Sequence, residues 1–371
     1  MFICSGFWTS NLQVHILKKR FHPRWLIMLK STRTHIFVTG ATGYIGGSAV
    51  SALLSHPRSD TFQITALIRS PDKVVLFNSV GVTPVIGTNS DFDTLTSLAS
   101  EADVVLACAN ADDLCAARAI LLGLKKRHEH TNTVPILIHT SGTGVLIDDA
   151  AGNYATDEIY SDLDIPMIES LPKTQPHREV DLEVIAADKE GYVRTYVILP
   201  STIYGIANTP LVSLGVQNPY SKQIPRLIKA SLDRKQGGVV GKGLNLWPNI
   251  HIDDVATLYI SVFDAAMKGP DGTGHGREGY YFGENGEHRV GEISEVLAEL
   301  LHEMKRAKNP EPTIFTDEEL QKYFGGRWMG SNSRARAERA KLIGWNPVHT
   351  IDSLWASLKP EIEAMVEKQN A

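Results

Sequence analysis

The chain has 371 residues, of which 43% are hydrophobic and 21% are charged. This composition is typical of a folded globular protein and excludes a disordered chain, a collagen and a coiled coil. The length is sufficient for one large α/β unit or for two joined lobes. The net charge of −5 argues against a nucleic-acid-binding protein, which normally carries a basic excess.

Cysteine usage indicates the compartment and the metal content. Cys4, Cys108 and Cys115 are too few for a disulfide framework in a chain of this length. No Cys-x-x-Cys pair or other ligand cluster indicates a metal site, so we predict none. A chain that is held together by packing alone is typical of a reducing compartment, and we expect a cytoplasmic protein.

Residues 1–33 differ from the rest of the chain because they contain six basic residues and no acidic residue. The basic cluster interrupts the apolar residues, which is unlike a secretory signal. No run of about 20 apolar residues, the length that spans a membrane, occurs anywhere in the sequence. Two interpretations stay open: a mitochondrial presequence, which would change the expected location, or a start site assigned too far upstream.

From His35 onward, short apolar runs alternate with helical stretches. The runs occupy residues 36–39, 64–68, 103–107, 135–139 and 195–199. Continuous apolar runs are typical of strands that are buried on both faces of a sheet. Strands that alternate with helices predict right-handed βαβ units, so we predict an α/β fold with a doubly wound parallel sheet.

The first predicted strand leads into the glycine-rich segment Gly40-Ala-Thr-Gly-Tyr-Ile-Gly46 at the start of a helix. A dinucleotide pyrophosphate needs close approach to the backbone and free N–H groups at a helix N-terminus, and side chains at these turns would block it. The strand, turn and helix that the motif requires are all present. We predict a dinucleotide cofactor bound by Gly40, Thr42, Gly43, Tyr44, Ile45 and Gly46.

The end of the second strand selects the type of dinucleotide. An acidic residue there favours NAD, whereas a cation favours the 2′-phosphate of NADP. Arg69 occupies this place and Lys73 follows it closely, and an arginine fork can donate two bonds to one phosphate. We predict NADP(H), with NAD as the alternative because Asp72 could pair with either cation.

After Gly205 the sequence changes to proline, glycine and aromatic residues with a few amphipathic helices. We predict that residues 34–205 form a dinucleotide-binding Rossmann domain, to which residues 248–267 return. Residues 206–371 are predicted to form mainly a second, smaller lobe that closes over the sheet and binds a small-molecule substrate. We expect neither a nucleic acid nor a membrane as a partner.

The GxxGxxG spacing resembles that of the short-chain dehydrogenase/reductase superfamily. Further segments follow in the order of its extended or atypical members, the NAD-dependent epimerase/dehydratase type: Ala107-Cys-Ala-Asn110, Thr140-Ser-Gly-Thr-Gly144, Leu199-Pro-Ser-Thr-Ile-Tyr-Gly205, Trp247–Ala256 and Leu342–Pro347. The resemblance extends through most of residues 34–360. It implies cofactor contacts by Ala107, Ala109 and Pro200, and a homodimer that pairs through two helices of the sheet's flank.

The resemblance also implies a serine after the fifth strand and Tyr-x-x-x-Lys on the next helix. None of the 11 tyrosines is followed by a lysine four residues later. The serine position falls on Gly142, between Ser141 and Thr143, and the tyrosine and lysine positions fall on His177 and Asp181. Ser141, Thr143, His177 and Asp181 are therefore the predicted catalytic residues.

A histidine could replace the tyrosine as the proton donor. Residues i and i+4 share a helix face, so Asp181 is expected to orient the His177 imidazole, and an imidazolium can protonate an alkoxide as hydride arrives. An aspartate cannot replace the lysine as a donor to the ribose. The sequence predicts an NADP(H)-dependent reductase of a small carbonyl metabolite. A non-catalytic NADP(H)-binding or sensing protein and a nucleotide-sugar epimerase or dehydratase stay open as alternatives.

Overall fold

The computed structural model describes residues 33–370, so the predictions for the basic extension lie outside the described residues. The strands are β1 (Thr34–Thr39), β2 (Phe62–Ile68), β3 (Val82–Ile86), β4 (Val104–Ala107), β5 (Ile136–Thr140), β6 (Tyr160–Ser161), β7 (Arg194–Pro200), β8 (Thr202–Tyr204), β9 (Gly238–Val239), β10 (Leu246–His251), β11 (Tyr280–Gly283), β12 (Glu287–Arg289), β13 (Thr313–Ile314) and β14 (Ala335–Arg336). The helices are α1 (Tyr44–Leu54), α2 (Val74–Ser79), α3 (Phe92–Glu101), α4 (Leu114–Thr131), α5 (Ile165–Glu169), α6 (Arg178–Lys189), α7 (Pro210–Ser213), α8 (Gln223–Arg234), α9 (Ile252–Met267), α10 (Val290–Glu303), α11 (Asp317–Phe324), α12 (Arg339–Leu342) and α13 (Ile351–Asn370).

Seven strands form one sheet in the order β11-β7-β5-β4-β1-β2-β3. Every neighbouring pair in this sheet is parallel. The chain runs outward in one direction from β1 to β3 and in the other direction from β4 onward. The predicted doubly wound α/β fold is confirmed. Ligands of such sheets bind beyond the carboxyl ends of the strands where the direction reverses, which here is between β1 and β4.

The apolar runs explain the burial of the central strands. Residues 36–39 of β1 and residues 104–106 of β4 are all buried, as expected for a sheet that is covered on both faces. Helix α1 packs against α9, whereas α4 packs against α3 and α6. Because right-handed crossovers in opposite directions along a sheet place helices on opposite faces, these two groups cover the two faces.

A second hydrophobic core lies in the C-terminal part of the chain. Most of its buried residues come from α8, α10, α11 and α13, and they include Leu227, Ile293, Leu297, Phe324, Leu354 and Leu358. The predicted second, smaller lobe is confirmed by this helical region. The boundary at residue 205 stays a prediction. Two segments beyond it return to the large sheet, since α9 packs on this sheet and β11 pairs with β7 inside it. No helix within the described residues is both long enough and apolar enough to cross a membrane.

Candidate functional site

The glycine-rich loop leaves β1 and enters α1 at the carboxyl edge of the sheet. Gly40 has a φ of +77°, and a Cβ added there would lie 2.8 Å from the Cys108 carbonyl carbon. A Cβ at Gly46 would overlap the Gly40 carbonyl oxygen. Helix α1 begins at Gly43 without a side-chain cap. The N–H groups of its first turn are therefore available to an anionic ligand.

Two cavities adjoin this loop. The large cavity, about 640 Å³, is lined by the loop, the end of β2, the segment after β3 and the segment after β4. The small cavity, about 300 Å³, is lined by the start of α1, the segment after β4, Ser201, Ile203 and residues 218–223. Both cavities are lined by Gly43, Cys108, Ala109 and Lys222. They form one groove, and its volume is that of an ordinary small-molecule site.

Most of the predicted cofactor residues lie on this groove. Gly40, Thr42, Gly43, Arg69 and Ala109 line the large cavity, and Tyr44 and Ile45 line the small one. Neither cavity is lined by Gly46, Lys73, Ala107 or Pro200. The groove therefore brings together the glycine-rich loop and the cation at the end of β2.

The two cations predicted for the adenosine end have different surroundings. Arg69 is exposed at the large cavity. The Lys73 ammonium instead donates to the Val216 carbonyl oxygen at 3.0 Å. Arg69, rather than Lys73, is the cation that is placed to meet a phosphate in the large cavity.

Ser141 and Asp181 form a buried pair at the end of β5. The Ser141 hydroxyl donates to Asp181 Oδ2 at 2.9 Å, and Asp181 is 0% exposed. Burial raises the pKa of Asp181 to about 7, although the hydrogen bond from Ser141 opposes this shift. His139 Nε2 lies 3.9 Å from Asp181 Oδ1, and burial lowers the pKa of His139 to about 4. A buried acid beside a neutral histidine thus stands at the position that the resemblance predicts for the lysine.

His177 is the residue that caps the N-terminus of α6, with a left-handed φ of +67°. Asp112 Oδ1 accepts from the His177 backbone N–H at 3.0 Å and from Nδ1 at 2.8 Å. The other ring nitrogen, Nε2, faces the loop after β5, since a Cβ added at Gly144 would lie 3.1 Å from it. The predicted pairing of His177 with Asp181 is wrong. His177 has a left-handed backbone conformation, so its side chain does not lie on the helix face of Asp181, and Asp112 orients the ring instead.

The predicted catalytic residues lie beside the groove rather than on its walls. Ser141 is 7% exposed and Thr143 is 0% exposed, whereas the His177 side chain is 22% exposed. Asn110 and Asp113, on either side of Asp112, line the large cavity. The His177–Asp112 pair is therefore the partly exposed polar group of this cluster, and it adjoins residues that line the large cavity. The adjacent Asp112 and Asp113, which follow β4, are the feature of the sequence that points to Asp112. Only the fold shows that Asp112 pairs with His177.

Two stacked histidines lie where the start of α9 meets the segment before α13. The rings of His251 and His349 stack with their centroids 3.9 Å apart, and with Asp253 they offer ligand atoms within 4.8 Å of one another. Stacked rings direct their nitrogen lone pairs along nearly parallel planes, whereas the ligands of a tetrahedral metal ion converge on it. The prediction that the protein holds no metal stays a prediction.

Comparison with known proteins supports the cofactor site. A family model described as NAD(P)H-binding matches residues 40–158, which include the glycine-rich loop and the ends of β2, β4 and β5. The chain is 28% identical to the oxidase ucsJ of an Acremonium species over 354 residues, covering 90% of this chain and 97% of that protein. It is also 28% identical to a 4-hydroxy-2-methyl-3-oxo-4-farnesyl-3,4-dihydroquinoline-1-oxide ketoreductase of Stigmatella aurantiaca, covering 64% of this chain and 65% of that protein.

Solved structures show the same fold. A UDP-glucose 4-epimerase of Thermotoga maritima, solved with UDP-glucose, is 16% identical with a TM-score of 0.61, covering 91% of this chain and 100% of that chain. A dTDP-glucose 4,6-dehydratase of Bacillus anthracis, solved with NAD, is 18% identical with a TM-score of 0.61, covering 90% of this chain and 97% of that chain. The predicted resemblance is therefore confirmed: this chain carries an NAD(P)-binding domain and has the fold of the extended short-chain dehydrogenases/reductases, the NAD-dependent epimerases and dehydratases.

Proposed function

We propose that the protein is an NADP(H)-dependent reductase of a small carbonyl compound. The observation that carries this proposal is the His177–Asp112 pair next to the groove, which would supply a proton donor in place of the tyrosine that the resemblance implies. The ketoreductase relative from Stigmatella aurantiaca supports the same reaction class.

The groove fits an NADP(H) molecule by the chemistry of its walls. The uncapped start of α1 and the glycine-rich loop would hold the pyrophosphate. Arg69 would meet the 2′-phosphate in the large cavity, where Thr88 and Ser90 add hydroxyl groups. The resemblance implies an acidic residue after β3, and the sequence carries Thr88 there instead.

Side chains of the protein would donate the proton that the reduction needs. When it is bound, the reduced cofactor supplies a hydride to the carbonyl carbon. His177, as an imidazolium, would donate the Nε2 proton to the carbonyl oxygen, while Asp112 accepts from Nδ1–H and stabilises the cation. Asp181 holds the Ser141 hydroxyl in one orientation at the start of the loop after β5. Thr143 is fully enclosed and takes no part in the proposed reaction.

One observation favours the alternative of a non-catalytic NADP(H)-binding or sensing protein. Asp181 occupies the lysine position and is completely buried, so no cation from α6 reaches a nicotinamide ribose at that place. An epimerase or dehydratase function has less support, because those reactions also rely on the missing tyrosine. The partner that we propose is a small molecule, and pairing of two copies through two helices of the sheet's flank stays a prediction.

Steady-state kinetics with the purified chain separate these functions. We expect NADPH to bind more tightly than NADH and to be oxidised with at least one member of a panel of ketones, aldehydes and quinones. Oxidation should be followed by the loss of the absorbance of the reduced nicotinamide, with heat-denatured protein as the control. Tight binding of NADPH without oxidation by any carbonyl would overturn the reductase proposal in favour of the sensing protein.

A further inference from the structure

The starts of two helices line the small cavity. Gly43, Tyr44 and Ile45 at the start of α1 form one wall, and Ser221, Lys222 and Gln223 at the start of α8 form another. Helix α8 has 12 residues and, like α1, begins without a side-chain cap. Each uncapped helix start carries roughly half a positive charge. Two such partial charges therefore act on one space of about 300 Å³.

The other polar groups at this space also suit an anion. Lys222 is exposed and lines both cavities. The Ser201 side chain is 8% exposed, lines the small cavity, and its hydroxyl has no hydrogen-bond partner within residues 33–370. The residues that line the small cavity include no carboxylate. An uncompensated lysine and a buried unpaired hydroxyl indicate a ligand with several negatively charged oxygens.

Hydrogen bonds connect the chain just before α8 to the glycine-rich loop and to α1. The Asn218 N–H donates to the Thr42 carbonyl oxygen at 2.9 Å. The Gln217 side-chain amide donates to the Tyr44 carbonyl oxygen at 3.1 Å and to the Ser48 hydroxyl at 2.9 Å. These bonds tie the chain before α8 directly to the first turn of α1. The two helix starts are therefore held at a set separation, which lowers the cost of binding a ligand between them.

We infer that Lys222 and the N-terminus of α8 bind the pyrophosphate of the dinucleotide from the side opposite the glycine-rich loop. This inference rests on the cofactor in the proposed function. The pyrophosphate lies at the start of α1 in folds of this kind, and Lys222 lines both halves of the groove where they meet. A cation from the C-terminal part of the chain thus completes a site that the N-terminal motif leaves open on one side.

Removal of the charge tests the inference. In Lys222→Met, the dissociation constants of NADPH and ADP-ribose, both of which contain the pyrophosphate, should rise roughly 10-fold. The dissociation constant of adenosine 2′-monophosphate, which lacks it, should not change. Lys222→Arg should restore most of the affinity. Lys126→Met removes the same charge from an exposed position on α4 that lines neither cavity, and it should bind all three ligands normally.

The outcomes separate failure of the inference from failure of the proposed function. Unchanged binding of ADP-ribose by Lys222→Met, or equal weakening of ADP-ribose and adenosine 2′-monophosphate, would overturn the inference but not the proposed function. Weaker binding of UDP with normal binding of ADP-ribose would assign Lys222 to a substrate phosphate and would also overturn it. A wild-type chain that binds neither NADPH nor ADP-ribose would overturn both. Thermal unfolding checks that each variant is folded.

Discussion

The groove has a cofactor end at the glycine-rich loop and a proposed chemical end at His177. Both lie at the carboxyl edge of the same sheet, but cofactor binding and proton transfer need different things from the chain. At the cofactor end, the glycine-rich loop supplies backbone N–H groups and space, and its cavity is open. At the chemical end, His177 and Asp181 stand at the positions that the resemblance predicts for the tyrosine and the lysine, and Ser141 and Asp181 are enclosed. Backbone recognition depends on a local turn, whereas proton transfer depends on one side chain at one distance. A chain can therefore retain the first while the second changes.

The largest expected effect is at the cofactor end. In Gly40→Ala, the new Cβ would lie 2.8 Å from the Cys108 backbone in a residue with a φ of +77°. We expect the dissociation constants of NADPH and NADH to rise about 100-fold or more, because the loop must move away from the phosphate. Gly81→Ala is the matched control, since Gly81 has a φ of +79° and no atom within 4 Å of the added Cβ. Weakened binding in both variants would assign the effect to backbone strain alone.

The chemical end should respond in turnover rather than in binding. In His177→Asn, we expect kcat for a carbonyl substrate to fall about 100-fold with the NADPH dissociation constant unchanged, because a general acid is lost. Asparagine tolerates the left-handed conformation of residue 177. Asp112→Asn should lower kcat by about 10-fold, since the amide cannot stabilise an imidazolium. Equal turnover in wild type and His177→Asn would show that His177 is not the proton donor.

Cofactor preference should change more modestly. In Arg69→Ala, we expect the NADPH dissociation constant to rise about 10-fold and the NADH constant to stay the same, because only NADPH carries the 2′-phosphate. Fluorescence titration of both cofactors measures this difference. Lys73→Ala is the comparison, since its ammonium is bonded to the Val216 carbonyl oxygen. A larger loss of NADPH preference in Lys73→Ala than in Arg69→Ala would reverse the assignment.

The last expected effect concerns stability rather than binding or turnover. The pKa of Asp181 is raised to about 7 in the folded chain, so between about pH 4 and pH 7 the folded state holds a proton that the unfolded state has released. The wild type therefore loses stability as the pH rises through this window, whereas Asp181→Asn does not. The free energy of unfolding of the variant, relative to wild type, should increase between pH 5 and pH 8 by on the order of 2 kcal/mol.

Denaturant unfolding at both pH values measures the difference, with Asp271→Asn, an exposed aspartate, as the control. A constant difference between wild type and Asp181→Asn would mean that Asp181 is already ionised at pH 5.

The cofactor end was predictable because its signals are local. The apolar run of β1 and the turn from Gly40 to Gly46 are continuous in sequence, and the start of α1 follows directly. The partners at the chemical end come from separate elements. Asp112 lies 65 residues before His177, and Ser141 lies 40 residues before Asp181. The i,i+4 rule gave the wrong partner because the left-handed backbone of His177 takes its side chain off the helix face of Asp181. Lys222 lies even further along the chain from the loop that it faces.

The position of β11 in the chain affects folding during synthesis. This strand pairs with β7 at the edge of the large sheet, yet it ends at Gly283 of 371 residues. During synthesis, the apolar strand β7 emerges from the ribosome well before its outer neighbour and exposes unpaired backbone groups along one side. Such an open edge invites pairing with other chains. The nascent protein therefore passes through an interval in which chaperones have a defined strand to protect.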